Sequence, residues 1–179
     1  LVGTSLSGLI FVLLVGLTGV VASSRQADAL SQVAQIQSAL KSQMHADMMH
    51  DALRGDVLRA QMAGMKHDQA LGDEVRKELD EHVKMFRDSL AELDAMPLDA
   101  DVRAGVDKLK PALDAYQASA TDVVRLSLTD SAAADAKLPA FQAAFKKVED
   151  EMGELDDLIE GRAKIIGDAS TRTATFARW

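Results

Sequence analysis

The sequence contains no cysteine, only three prolines and only 4% aromatic residues among its 179 positions. The absence of cysteine excludes a disulfide framework, a thiol nucleophile, a cysteine-ligated zinc site and an iron–sulfur cluster. The small numbers of prolines and aromatic residues argue against a β-sandwich or β-barrel, which needs many turns. The formal net charge of −8 argues against nucleic-acid binding, because that binding requires cations that neutralise phosphates.

Charged side chains are also missing from residues 1–24, where large apolar residues predominate. This run is long enough to cross a hydrocarbon core of about 30 Å, so we predict a transmembrane helix at residues 1–24. A cleaved signal peptide is the alternative, because Ala22, Ser23 and Ser24 could form its cleavage site. The helical pattern continues without a loop, which favours the uncleaved helix. Residues 25–179 then form one domain outside the bilayer.

Beyond residue 24, apolar residues recur at spacings typical of helices. Breaks near residues 67–72, 96–97 and 129–131 divide this region into four helices, and Asp99 is the predicted N-cap of the third. The predicted fold class is all-α: an antiparallel up-down-up-down four-helix bundle with two long and two short helices, preceded by the transmembrane helix. The predicted core stripes are Leu30, Val33, Leu40, Met44, Leu58, Met62 and Met65 in the first helix; Leu71, Val75, Leu79, Phe86, Leu90 and Leu93 in the second; Val102, Leu109, Leu113, Tyr116, Ala120 and Val123 in the third; and Leu138, Phe141, Phe145, Val148, Met152, Leu155, Ile159 and Ile166 in the fourth.

The first predicted helix carries a second apolar stripe beside its core stripe. A helix with two apolar faces needs two partners, and we assign the second face to another copy of the chain in a two-fold dimer. The alternative is that both stripes belong to one broad core face. The predicted dimer-interface residues are Ala46, Met49, Leu53, Val57 and Ala60.

The sequence contains no phosphate-binding loop, no nucleophile elbow and no HExxH zinc motif. We therefore predict that the protein is not an enzyme and that it has no catalytic residue and no cofactor. The methionines and histidines of residues 44–50 could suit copper. Met44 and Met48, however, fall on or near the predicted core stripe, where methionine commonly fills space. We therefore predict no metal site.

Polar residues interrupt the predicted core stripe of the first helix. At 100° per residue, Asp51, Arg54 and Gly55 lie on the same side as this stripe. Buried charges are costly unless they are paired or used. Asp51 and Arg54 could simply pair, or they could belong to a ligand pocket in the outer half of the bundle, where arginine binds a carboxylate. The predicted ligand-binding residues are Asp51, Arg54, Arg59, Tyr116, Thr121 and Gln142.

Two segments, MHADMMHDALRGDVLRA (residues 44–60) and LPAFQAAFKKVEDEM (residues 138–152), resemble bacterial methyl-accepting chemotaxis proteins, as does the long, short, short, long order of the helices. The resemblance covers the first membrane helix and the sensor domain of that family. It implies a periplasmic sensor at residues 25–179, anchored in the inner (cytoplasmic) membrane. It also implies a homodimer that binds a small molecule and shifts its fourth helix. Cytoplasmic signalling partners are expected to act only through a C-terminal part beyond this sequence.

The sequence departs from the amino-acid-sensing members of that family at two places. Arg54 and Arg59 match two of their arginines, but Ala63 stands at the third position, and Pro139 is followed by Ala140 instead of threonine. Specificity for aspartate or serine is therefore not implied, and an organic acid is expected instead. Three other functions stay open: the sensor of a histidine kinase or cyclase, a membrane-anchored helical scaffold without a ligand, and an electron-transfer bundle.

Overall fold

The computed structural model describes the backbone of residues 2–176 and the side chains of residues 23–24 and 26–168. Within this part of the chain the protein is all-helical, with four helices and no strand. The helices are α1 (Val2–Lys66), α2 (Gln69–Asp94), α3 (Ala100–Ser127) and α4 (Ser131–Phe176). With 65, 26, 28 and 46 residues, they have the predicted long, short, short, long order.

The helix ends follow from local chemistry. His67 adopts a left-handed backbone conformation with φ of 53°, which ends α1. Asp68 then caps α2, and its carboxylate accepts a hydrogen bond from the backbone N–H of Leu71 at 3.0 Å. Asp99 occupies the N-cap of α3, which confirms its predicted position. Its side chain does not bond the helix backbone and instead forms an ion pair with Arg162 of α4.

The core is built from one apolar stripe of each helix. For α2, α3 and α4 these stripes are confirmed, with nearly every predicted position buried and the others packed against the core. The largest side chains that are completely enclosed are Tyr116, Phe86, Leu53, Leu93, Leu109, Leu155 and Ile159.

The prediction for α1 was wrong about which face turns inward. The predicted core residues Met44, Leu58, Met62 and Met65 are exposed by 68%, 53%, 43% and 71%. The residues predicted to form the dimer interface lie inside the protomer instead. Small and β-branched side chains let neighbouring helices approach closely, so α1 turns this face inward and leaves the bulkier methionines outside. Ala46, Leu53, Val57 and Ala60 are at most 2% exposed, and the half-buried Met49 packs against the core.

Contacts between neighbouring helices of the bundle run in opposite order along the two chain segments. Between α1 and α2 the contacts pass from Arg59–Glu78 through Asp56–His82 to Ser42–Glu92. Between α3 and α4 they pass from Lys108–Glu154 to Asp99–Arg162. Between α1 and α4 they pass from His50–Phe145 to Gln43–Met152. In addition, α1 meets α3 across the bundle. All three other helices therefore position the side chains of α1.

Among the described residues, no helix combines the length and the hydropathy needed to span a bilayer. The predicted transmembrane helix falls mainly on residues 1–22, whose side chains lie outside the described residues.

Gly64 marks the closest approach of α1 to α3. A Cβ atom at this position would lie 1.9 Å from the carbonyl oxygen of Ser127, so G64A would force the helices apart. We expect G64A to lower the free energy of unfolding by about 1–3 kcal/mol, as overpacked cores do. Urea denaturation followed by circular dichroism measures this change.

Gly153 provides the matched control, because a Cβ atom there meets nothing within 4 Å. Since glycine inside a helix costs about 1 kcal/mol relative to alanine, G153A should leave stability unchanged or raise it slightly. Equal effects of the two substitutions would contradict the close approach at Gly64.

Candidate functional site

A groove of about 220 Å³ runs between α1 and α4 near the start of α4. Its floor is apolar and includes Phe141 and Phe145, whereas Arg54, Gln61 and Gln142 supply polar groups. The remaining lining residues are Val57, Leu58 and Leu138. The groove therefore offers one guanidinium and two neutral amides beside an apolar surface.

Arg54 is the cation of this groove. Its guanidinium carbon lies 4.9 Å from the centre of the Phe145 ring, a distance at which a cation is attracted to the aromatic face. Within the described side chains, no carboxylate forms an ion pair with Arg54, so the Asp51–Arg54 pair considered as an alternative is not formed. The five N–H donors of the guanidinium therefore stay available for an acidic ligand.

A buried polar contact lies directly under the groove floor. The Tyr116 hydroxyl of α3 donates to the His50 carbonyl of α1 at 2.8 Å, and His50 Nε2 donates to the Phe145 carbonyl of α4 at 3.1 Å. The His50 ring also stacks on the Phe145 ring, with centres 4.1 Å apart. These contacts join α1, α3 and α4 beneath the groove. A displacement of Phe145 at the groove floor would therefore alter the packing of α4 against α1.

Burial controls the ionisation of both groups in this contact. It lowers the pKa of His50, although the Phe145 carbonyl and the nearby charge of Asp51 act in the opposite direction. Burial also raises the pKa of Tyr116, with a further contribution from Asp51. At neutral pH the imidazole is therefore uncharged, and the phenol keeps the proton that it donates to His50.

The structure brings together only part of the predicted site. Arg54 and Gln142 line the groove, and Tyr116 is buried beneath it. Arg59 instead forms ion pairs with Glu74 and Glu78 on α2, because five residues along a helix turn a side chain about 140° away from Arg54.

The other two predicted ligand residues also lie away from the groove. Asp51 is exposed on α1 and does not line it. Thr121 donates to the Gln117 carbonyl of its own helix at 2.9 Å. The sequence analysis missed the groove residues Gln61, Phe141 and Phe145 as parts of a site, although the apolar stripe of the fourth helix contained both phenylalanines.

Comparison with known families gives the context of this groove. Residues 1–174 match a family described as a four helix bundle sensory module for signal transduction, which is the module of methyl-accepting chemotaxis proteins. The chain belongs to this family. The four observed helices agree with the bundle that defines the module. No curated protein matches the sequence significantly.

A second buried polar pair of this sensory module joins α1 to α2. Asp56 is only 2% exposed, and its carboxylate lies 2.7 Å from His82 Nδ1. Burial raises the pKa of Asp56, while the hydrogen bond and charge of His82 counteract part of that rise. His82, the one histidine of α2, is therefore engaged with a carboxylate.

Clusters of conventional metal ligands are absent from the described part of the sensory module. No three His, Cys, Asp or Glu side chains come together there in a way that could hold a metal ion.

The lowered pKa of His50 predicts a specific pH dependence of stability. Because its folded pKa lies below the ordinary value of 6.5, the unfolded chain takes up the proton more readily. The stabilisation from neutral His50 is complete above that value and is lost as the pH falls toward the lowered pKa. The H50Q sensory module should therefore lose less stability than wild type between about pH 7 and pH 5.

Thermal unfolding of both proteins at the two pH values tests this expectation. Asp56 contributes in the opposite direction, because a carboxyl with a raised pKa favours the folded state on acidification. That contribution is common to both proteins and cancels in the comparison. An identical loss of stability in wild type and H50Q would contradict a neutral, buried His50.

Proposed function

We propose that this sensory module is the periplasmic ligand-binding domain of a transmembrane chemoreceptor and that it binds a small organic acid in the groove between α1 and α4. The observation that carries the proposal is Arg54, a cation over the Phe145 ring with no acidic partner among the described side chains. A guanidinium held at a groove favours a carboxylate, with which it forms two parallel hydrogen bonds.

The residues that line the groove restrict the chemical class of the ligand further. Arg54 is its single cation, since Arg59 is held by Glu74 and Glu78 on another side of α1. A ligand with one carboxylate therefore fits better than one with two. The apolar floor favours a hydrocarbon or aromatic remainder, while Gln61 and Gln142 can bond one further polar group.

The same geometry suggests how binding is transmitted. A ligand that contacts Arg54 on α1 and Gln142 on α4 acts on two helices whose relative position it can bias. From Ser131 to Phe176, α4 is one continuous helix, so a displacement of about 1–2 Å can be carried along its length. The opposite order of contacts between consecutive helices supports an up-down-up-down arrangement.

This arrangement supports the proposed place of the protein in the cell. It brings the distal part of α4, around Ile159 and Ile166, beside residues 32–39 of α1. Residues 1–24 are proposed to anchor the domain in the inner membrane, with residues 25–179 in the periplasm. A shift of α4 would then reach the membrane next to the starting point of α1.

We also propose that the module forms a homodimer through the outer face of α1. Its exposed apolar residues alternate at spacings of four and three, which is the repeat of a two-stranded coiled coil. This repeat fits a second copy of itself along a two-fold axis. The stripe replaces the predicted interface, which the protomer buries. It consists of Met44, Met48, Leu58, Met62 and Met65, with Asp51 and Gly55 at the two intervening positions.

Ligand binding can be measured as a shift in thermal unfolding. We expect benzoate and isovalerate, two monocarboxylates with apolar bodies, to raise the melting temperature of the chain in lipid nanodiscs. At a ligand concentration of about 100 Kd the stabilisation is about 2.7 kcal/mol. R54A should abolish the shift, because it removes the only cation of the groove.

R59A is the matched control for this experiment. It removes a second arginine from the same helix, but one whose charge is engaged by α2. The ligand-induced shift should therefore persist in R59A. No shift with any monocarboxylate, or an equal shift in wild type and R54A, would contradict the proposed site.

The dimer is tested by placing a charge on the outer stripe of α1. M62D should convert the dimer to a monomer in sedimentation experiments, because an aspartate in an apolar seam loses its hydration. M85D is the control: Met85 is exposed by 48% on α2, compared with 43% for Met62. A wild-type monomer, or equal dissociation in the two variants, would contradict the interface.

A further inference from the structure

Two thioethers and one imidazole share an exposed surface of α1. Met44 and Met48 are exposed by 68% and 58%, and His45 is also exposed. Residues three and four positions apart on a helix have Cβ atoms about 5–6 Å apart. Met48 therefore lies one turn beyond both Met44 and His45, and the three side chains can converge on one point above the helix.

The exposure of Met44 and Met48 removes the reason to treat them as core filler. Methionine commonly fills irregular gaps inside a core, yet neither Met44 nor Met48 is inside. Among the described residues, none forms a hydrogen bond or an ion pair with the His45 ring. Two soft sulfur atoms and a ring nitrogen are thus held at the surface without an internal partner.

The chemistry of these atoms selects one kind of metal ion. Thioether sulfur is a soft ligand that favours Cu(I), and imidazole suits copper as well. Hard cations such as Mg²⁺ and Ca²⁺ require oxygen ligands instead. Because the chain has no cysteine, no thiolate competes for a soft ion.

We propose that Met44, His45 and Met48 form a Cu(I) site with two sulfur ligands and one nitrogen ligand. The site is separate from the groove, since Met48 precedes Arg54 by six residues, or about 9 Å along the helix axis. Met44 and Met48 also belong to the stripe proposed for dimerisation.

Competition with a chromophoric Cu(I) chelator such as bicinchoninate tests the site. The full chain in lipid nanodiscs, under anaerobic conditions, should withdraw Cu(I) from the chelator. The double variant M44L/M48L, which keeps the apolar character of the stripe, should lower the affinity at least about tenfold, since loss of outer-shell partners alone can cost that much. H45Q should also weaken binding, because it removes the nitrogen ligand.

M62L/M65L is the matched control, because it removes two exposed methionines from the same stripe. Neither Met62 nor Met65 has a histidine three or four residues away. It should leave the affinity unchanged. X-ray absorption of the bound copper should show two sulfur neighbours and one nitrogen neighbour. The proposal is overturned if the chain does not compete for Cu(I), if both double variants lose affinity equally, or if the copper has no sulfur neighbour.

Discussion

The close packing of small side chains along the inner face of α1 is the constraint on which the rest of the structure depends. Ala39, Ala46, Ala60 and Ala63 are each at most 2% exposed, and Gly64 lies against the backbone of α3. Short side chains allow neighbouring helix backbones to come near, and protein interiors leave few voids between them. Once this face turns inward, the helical repeat fixes the direction of every other side chain on α1.

Two surfaces that we propose to be functional follow from that orientation. It places Arg54 at the edge facing α4, over the Phe145 ring, and turns Arg59 toward the glutamates of α2. It also turns four methionines and Leu58 away from the protomer. The proposed ligand groove and the proposed dimer stripe therefore both follow from the same orientation of α1, which explains why both include residues of the longest helix.

The buried contact of His50, Tyr116 and Phe145 adds specificity beneath the groove. A single hydrogen bond of this kind contributes only about 0.5–1.5 kcal/mol, but a buried partner left without its bond costs about 1–3 kcal/mol. A shift of α4 relative to α1 must therefore keep or exchange the bond from His50 to Phe145. This requirement favours discrete positions of α4, as the proposed transmission by a shift of α4 requires.

The fold was largely predictable from the sequence, because α2, α3 and α4 each carry a single apolar stripe. The orientation of α1 was not, since Met44 and Leu58 are more hydrophobic than Ala46 and Ala60, and pattern analysis favours larger apolar side chains. Their exposure places them on the stripe that we propose for dimerisation.

The candidate site was predictable only in part. The presence of Arg54 and Gln142 in one site could be predicted, because their positions along the helices place them at similar heights in the bundle. The engagement of Arg59 depends on Glu74 and Glu78 of another helix, and the inward position of His50 depends on packing around its ring. Contacts of this kind between helices do not affect the apolar periodicity of a single helix, so that periodicity does not predict them.

Single cysteine substitutions test the orientation of α1 most directly, because the natural sequence contains no cysteine. Leu58 is exposed by 53% and the adjacent Val57 by 1%. We expect L58C to react rapidly, either with a soluble maleimide or by forming a disulfide with a second copy. V57C should do neither until the protein unfolds. Rapid reaction of V57C together with protection of L58C would contradict this orientation of α1.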